Sequence, residues 1–178
     1  MSNKELLITK GKKLAFLLRH DKEAFDNGLI DQNGWRNVSE LVSDKGYSTD
    51  LIEEIVATNN KKRYEFNEDH TKIRARQGHS INVDVELTEA EPPKVLYHGT
   101  STKALESIYK QGILKGERLY VHLSKDEETA LKVGSRHGKP FVLAINAEQM
   151  TNDGIKFYLS NNGVWLTDYV DSKYIIKV

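Results

Sequence analysis

The stretch TEAEPPK, residues 88–94, places two adjacent prolines behind Glu89 and Glu91 and interrupts every periodic pattern in the chain. Proline fixes its own φ and pushes the residue before it out of the helical region. No helix or central strand runs through this segment, so it reads as a linker. The 178-residue chain is therefore expected to form two lobes, residues 1–90 and 91–178, each long enough to bury a modest core.

Upstream of the linker the pattern is helical and then changes to alternation. Leu14, Leu17 and Leu18, with Phe16 flanking them, suit one face of an amphipathic helix, and VSELV and TDLIEEIVAT suggest two more around the turn-prone SDKGYS. RYEFN and TKIRAR alternate like two strands with EDH as the turn between them. Three helices followed by a two-stranded wing suggest a winged-helix-like lobe, a shape often used on nucleic acid. Downstream, short β-rich runs (KVLYHG, YVHLS, PFVLAINA, IKFYLS, GVWLT and KYIIKV) are interrupted by two helical stretches, STKALESIYKQG and DEETALKVGSRHG. Ser124 with Glu127 three residues on has the spacing of a capping box for the second of these. The expected class is α+β, with a bent β-sheet in the second lobe. Trp35 and Trp165 have alternating apolar neighbours and read as core.

Twenty-six basic residues balance twenty-six acidic ones, so any polyanion must be met by local clusters rather than a global field. The chain has no cysteine, which removes disulfides, thiolate chemistry and cysteine zinc sites, and fits a reducing cytoplasm. No apolar run approaches the roughly 20 residues of a membrane helix, and MSNKELLITKGKK lacks a secretory apolar core. The expectation is a cytoplasmic protein without membrane contact; nothing suggests an obligate interface, so a monomer is expected.

Six histidines are present, with no HExxH pair and no close His/Asp/Glu cluster, so no metal site is expected. GxGxxG, GxxxxGK[ST] and GxSxG are all missing, which leaves Rossmann, P-loop and hydrolase-elbow readings without their signatures. Arg19 and His20 end the first helix in LAFLLRHD, where cations complement the helix dipole by about 0.3–1 kcal/mol. Arg63 opens a strand and Arg118 sits in KGERLYVHL. Each guanidinium alone suits a solvated edge, whereas several together can hold a dianion through paired hydrogen bonds. His98 and His122 lie at the ends of expected strands; Gly99 admits close backbone approach, and Thr100 is placed to cap the next helix.

FLLRHD, NGW, ATNNKKRYEF, IRARQGHS, PPKVLYHGT, GERLYVHLS, ALKVGSRHGKP and NGVWLTD, in that order, closely resemble the NAD-dependent RNA 2′-phosphotransferases of tRNA splicing and their bacterial relatives. The resemblance covers nearly the whole chain. It implies a winged-helix-like RNA lobe and an ADP-ribosyltransferase-like lobe, with NAD held between them as a consumed co-substrate and no metal. The implied catalytic residues are Arg19, His20, Arg63 and Arg118. The implied NAD-binding positions are His98, Gly99, Thr100, His122, Ser124, Arg136, His137 and Val164. Val164 stands where many relatives in the wider fold carry a glutamate; an anionic phosphate needs no base to attack. The implied partner is a 2′-phosphorylated RNA, a tRNA-like splice junction or another RNA. Two other readings stay open: an ADP-ribosyltransferase acting on a nucleic-acid end, a protein or a small molecule, and a non-catalytic RNA-binding module. Lys12, Lys13, Lys61 and Lys62 are candidate backbone contacts, and the role of RARQGHS is open.

Overall fold

Ser2 opens the first helix with a reciprocal cap: its hydroxyl accepts from the Glu5 amide, and the Glu5 carboxylate accepts from the Ser2 amide. This pairing satisfies two donors that a helix start otherwise leaves orphaned. The computed structural model describes residues 2–176 and divides between Glu86 and Leu87 into two compact units.

The first unit runs α1 (Asn3–Arg19), α2 (Lys22–Asp26), β1 (Arg36–Asn37), α3 (Val38–Lys45), α4 (Thr49–Ala57), β2 (Tyr64–Phe66) and β3 (Lys72–Ala75). The expected hairpin is present, with Tyr64 opposite Ala75 and Phe66 opposite Ile73. The sequence pattern did not separate α2 and β1, which are only five and two residues long; β1 adds to β3 and makes a three-stranded sheet in the order β1-β3-β2. Leu14, Leu17 and Leu18 bury one face of α1 against Leu41, Ile52, Ile55 and Ile73. Arg36 is fully buried and holds α1, α2 and α3 together: it donates to the Leu17 carbonyl and pairs with Asp21 at 2.8 Å and Glu40 at 2.6 Å. A buried guanidinium is tolerable only with such a complete set of acceptors. Trp35 is half-buried outside the apolar cluster, with the Arg74 guanidinium 4.3 Å over its ring, whereas Trp165 is core. His79 follows β3 and is buried, its Nε2 packed near Gly34. Burial, joined by the charges of Arg19, His20 and Arg74, pulls its pKa down to about 3.

The second unit contains β4 (Thr88–Glu89), β5 (Val95–Ser101), α5 (Leu105–Gln111), β6 (Val121–Leu123), α6 (Glu127–Gly134), β7 (Pro140–Asn146), α7 (Ala147–Asn152), β8 (Tyr158–Leu159) and β9 (Trp165–Thr167). Thr88 and Glu89 pair with β8, so the first residues of TEAEPPK belong to a sheet and the irregular stretch is confined to the residues after them. In place of one bent sheet there are two, β4-β8-β9-β6 and β5-β7, joined where Tyr97 and Ser124 exchange two backbone bonds of 2.8 Å. That pairing commits the Ser124 backbone to the sheet junction. Asp126 caps α6 instead, accepting from the Thr129 amide at 2.7 Å, and the expected capping box is not formed. Thr100 is likewise a buried strand residue; the turn after β5 starts from Ser101 and has no side-chain cap. Among the described residues of KYIIKV, 173–176, no strand forms. Its start is a 3-10 turn (Ser172–Tyr174), Ile175 makes one bridge to Ile145, and residues 177–178 lie outside the described residues.

Gly99 admits close approach, but by a helix. A Cβ at Gly99 would lie 1.7 Å from the Ala130 carbonyl oxygen, and one at Gly134 would lie 2.5 Å from the Thr100 carbonyl oxygen, so α6 docks onto β5 backbone to backbone. Gly99→Ala is expected to lower stability by about 3 kcal/mol or more, read as a reduced urea midpoint at unchanged slope. The depressed His79 pKa sets a second expectation. The unfolded chain takes up a proton near 6.5 and the folded one only near 3, so the contribution of His79 is complete above 6.5 and lost as the pH falls through this window. Going from pH 7 to pH 5 is expected to remove about 2 kcal/mol through this residue, with its ring resonances staying in their neutral positions in the folded protein.

Candidate active site

The end of α1 carries Arg19 and His20, and its geometry follows from where its carbonyls find donors. The His20 amide closes on the Phe16 carbonyl, Arg36 Nη1 donates to the Leu17 carbonyl at 2.9 Å, and the Arg19 carbonyl accepts from the Ser80 amide at 3.0 Å and the Ile81 amide at 3.4 Å. His20 leaves the helix at φ −132°, ψ −2°, and its Nδ1 lies 2.9 Å from Ser80 Oγ. Gly78 has φ +87°, and a Cβ there would come within 3.5 Å of the Arg19 guanidinium carbon. The left-handed backbone lets residues 78–81 fold back over the helix end, which L side chains resist. The second half of RARQGHS thus clamps Arg19 and His20. Its first half is structural: Arg74 pairs with Glu65 at 2.7 Å and Glu86 at 3.1 Å, and Arg76 lies 3.4 Å from Glu65.

Arg63 stands one residue ahead of β2. Its amide donates to Asn59 Oδ1 at 3.1 Å and its carbonyl accepts from the Arg76 amide at 2.9 Å. Lys62 before it is held left-handed at φ 43°, an uncommon state for a residue with a side chain, which turns the chain into the strand. The neighbouring Tyr64 ring is buried, with its hydroxyl donating to the Gly11 carbonyl. Burial raises the Tyr64 pKa, and the charges of both Arg19 and Arg63 oppose that rise.

In the second unit the sheet junction brings a further set together. His98 and His122 are mid-strand, in β5 and β6, and His98 Nδ1 donates to the His122 carbonyl at 3.1 Å. Desolvation lowers the His98 pKa against the raising effect of that bond, with His137 adding to the lowering, so the ring is neutral with its proton on Nδ1. Arg118 Nη1 donates to His122 Nδ1 at 3.0 Å, which places the His122 proton on Nε2. Desolvation and then the Arg136 charge pull Arg118 below its ordinary value, although its side chain remains exposed. Arg136 and His137 lie exposed in the 3-10 turn after α6. Val164 sits in the turn before β9, its amide on Ser160 Oγ at 3.0 Å; among the described residues no bond ties it to His98 or His122. Ser124 is held by its bridge to Tyr97.

The arginines other than Arg19 separate into two groups. Arg36, Arg74 and Arg76 are neutralised by carboxylates within the first unit. Arg63, Arg118 and Arg136 form no carboxylate ion pair among the described residues, which suits them to an external anion. Among these residues no group of three or more His, Asp or Glu is arranged to hold a metal, and no helix is long and apolar enough to cross a membrane.

The family model described as RNA 2′-phosphotransferase, Tpt1 / KptA family, matches residues 5–169. A probable RNA 2′-phosphotransferase of Fusobacterium nucleatum is 53% identical over 174 residues, covering 94% of this chain and 97% of its own. One from Flavobacterium johnsoniae is 51% identical over 179 residues, covering 97% of both chains, and one from Escherichia coli is 44% identical over 180 residues, covering 98% of this chain and 97% of its own. With the match spanning both units and every element that carries the arginines and histidines described above, the chain belongs to the RNA 2′-phosphotransferase (Tpt1 / KptA) family.

Proposed function

We propose that the protein removes an internal 2′-phosphate from RNA in an NAD-dependent reaction. The first unit acts as a winged-helix-like RNA lobe, and the second as an ADP-ribosyltransferase-like lobe that takes NAD through His98, Gly99, Thr100, His122, Ser124, Arg136, His137 and Val164. The observation that carries this reading is the clamped end of α1, where Gly78 and Ser80 fix Arg19 and His20. Cationic and proton-bearing groups held in place in this way suit an anionic ligand. The fit to NAD is supported by the second unit's donor set: cationic Arg118 and Arg136 suit phosphate oxygens, and neutral His98 offers an acceptor nitrogen.

The reaction takes two steps. A 2′-phosphate oxygen attacks the anomeric carbon of the nicotinamide ribose, the glycosidic C–N bond breaks, and nicotinamide leaves with the bonding electron pair. The adjacent ribose 2″-oxygen then attacks phosphorus, and the bond from phosphorus to the RNA 2′-oxygen breaks. The 2″-hydroxyl proton is lost and the RNA oxygen gains one, giving 2′-OH RNA and ADP-ribose 1″,2″-cyclic phosphate. Arg19, Arg63 and Arg118 orient the phosphate and offset charge on its non-bridging oxygens, the kind of stabilisation that dominates many enzyme rates. His20 handles the proton delivered to the departing RNA oxygen.

With 2′-phosphorylated RNA and NAD, Arg19→Ala and Arg118→Ala are expected to lose at least about 10²-fold in kcat while remaining folded. Near-normal turnover by both variants would overturn the assignment, and a stable ADP-ribosylated adduct in place of the cyclic phosphate would favour transfer to another acceptor. Ser80→Ala is expected to lower kcat by roughly 10- to 100-fold through loss of His20 orientation, with the KM for NAD unchanged. Ser80→Thr, which keeps the hydroxyl, should restore most of the activity.

A further inference from the structure

Phe16 lies on the solvent side of α1, opposite the leucines that enter the core, and is 56% exposed. A single exposed phenylalanine is ordinary on a protein surface. Here the ring is not isolated: its centroid lies 5.9 Å from that of the His20 imidazole, at 47° between planes. Lys12 and Lys13 stand one turn back, at the four- and three-residue spacings that share a helix face, and both are exposed. Among the described residues neither lysine makes an ion pair. The one acid within α1, Glu5, is at its far end and engaged in the cap. The α1 face leading to His20 is therefore positive and aromatic, and α1 itself places no carboxylate on it.

We propose that Phe16 is a stacking platform for an unpaired nucleobase next to the 2′-phosphate, with Lys12 and Lys13 following the backbone beyond it. The inference rests on the reading of His20 as a phosphate-facing residue and adds to it a site for the RNA itself. A cationic track beside an aromatic face is how single-stranded nucleic acid is held without reading its sequence, because every base offers a π-face. The ring's distance from His20 is within the reach of one nucleotide. A flanking base on Phe16 would stop the RNA from swinging about its phosphate, and duplex RNA, whose bases are already stacked, would be a poor substrate.

The test uses the full-length protein and an RNA oligonucleotide with one internal 2′-phosphate and 2-aminopurine in an adjoining nucleotide, binding being measured without NAD. The parent protein is expected to change the 2-aminopurine fluorescence on binding, and Phe16→Ala to lose that change and weaken Kd by roughly 5- to 150-fold, the range that stacking of one base on an aromatic ring spans. On an oligonucleotide abasic at the flanking positions, parent and variant should bind equally, and Phe16→Trp should restore the base-dependent part. The exposed ring should leave the melting temperature of Phe16→Ala unchanged. Binding of the base-bearing RNA within twofold of the parent, or equal losses on base-bearing and abasic RNA, would overturn the proposal. Phe16-dependent binding with no phosphate removal by the parent would refute the transferase reading and leave the stacking platform standing.

Discussion

The last turn of α1 ends with carbonyls that the helix itself cannot satisfy. Three donors from distant parts of the chain settle the matter: the buried Arg36 side chain on the Leu17 carbonyl, and the Ser80 and Ile81 amides on the Arg19 carbonyl. Arg36 can be buried there only because Asp21 and Glu40 neutralise it, and Asp21 also caps α2. Residues 78–81 can lie over the helix end only because position 78 is glycine in a left-handed conformation. The placement of Arg19 and His20 is thus an outcome of satisfying the backbone. That makes it far stiffer than a helix terminus fraying into solvent, and stiffness is what the proposed role of this pair in orienting a phosphate calls for.

The second unit solves a parallel problem with strand alternation. Gly99 gives up its side chain so that α6 can sit against β5, and since successive residues point to opposite faces, His98 and Thr100 project from the other side. One tripeptide, His-Gly-Thr, thereby docks a helix and presents a histidine. The His98 ring is set by the His122 carbonyl, and the His122 ring by Arg118, so the tautomers of both imidazoles follow from two bonds. A change at Gly99 would reach these rings through the strand rather than through any ligand.

Long periodic segments were legible because their signal is local: the helices around Leu14–Leu18 and Ile52–Ile55, and the hairpin Tyr64–Phe66 with Lys72–Ala75, each carry their own spacing. What failed depended on distant partners. Ser124 and Glu127 have the capping-box spacing, but Ser124 is committed to Tyr97, so Asp126 takes the cap. Trp35 has apolar neighbours, yet Arg74 covers its ring, because Glu65 and Glu86 hold that guanidinium over it. RARQGHS could not be interpreted alone, since half of it completes ion pairs within the first unit and half clamps a helix end some sixty residues earlier. The candidate catalytic residues came from the order of motifs; their spacing alone would have left them as surface charges.

Electrostatics gives these placements a common logic. A chain with balanced charge could pair all its arginines with carboxylates, and it does so for Arg36, Arg74 and Arg76. It instead leaves Arg63 without a carboxylate among the described residues and sets Arg118 near enough to Arg136 for their like charges to raise the energy of the folded state. Natural sequences depart from local consistency of this kind mainly at functional sites. The repulsion is relieved when an anion arrives, so part of the free energy of bringing Arg118 and Arg136 together is recovered on binding one. The same cations would bind a neutral acceptor poorly, which supports the proposed transfer to a phosphate over transfer to a hydroxyl.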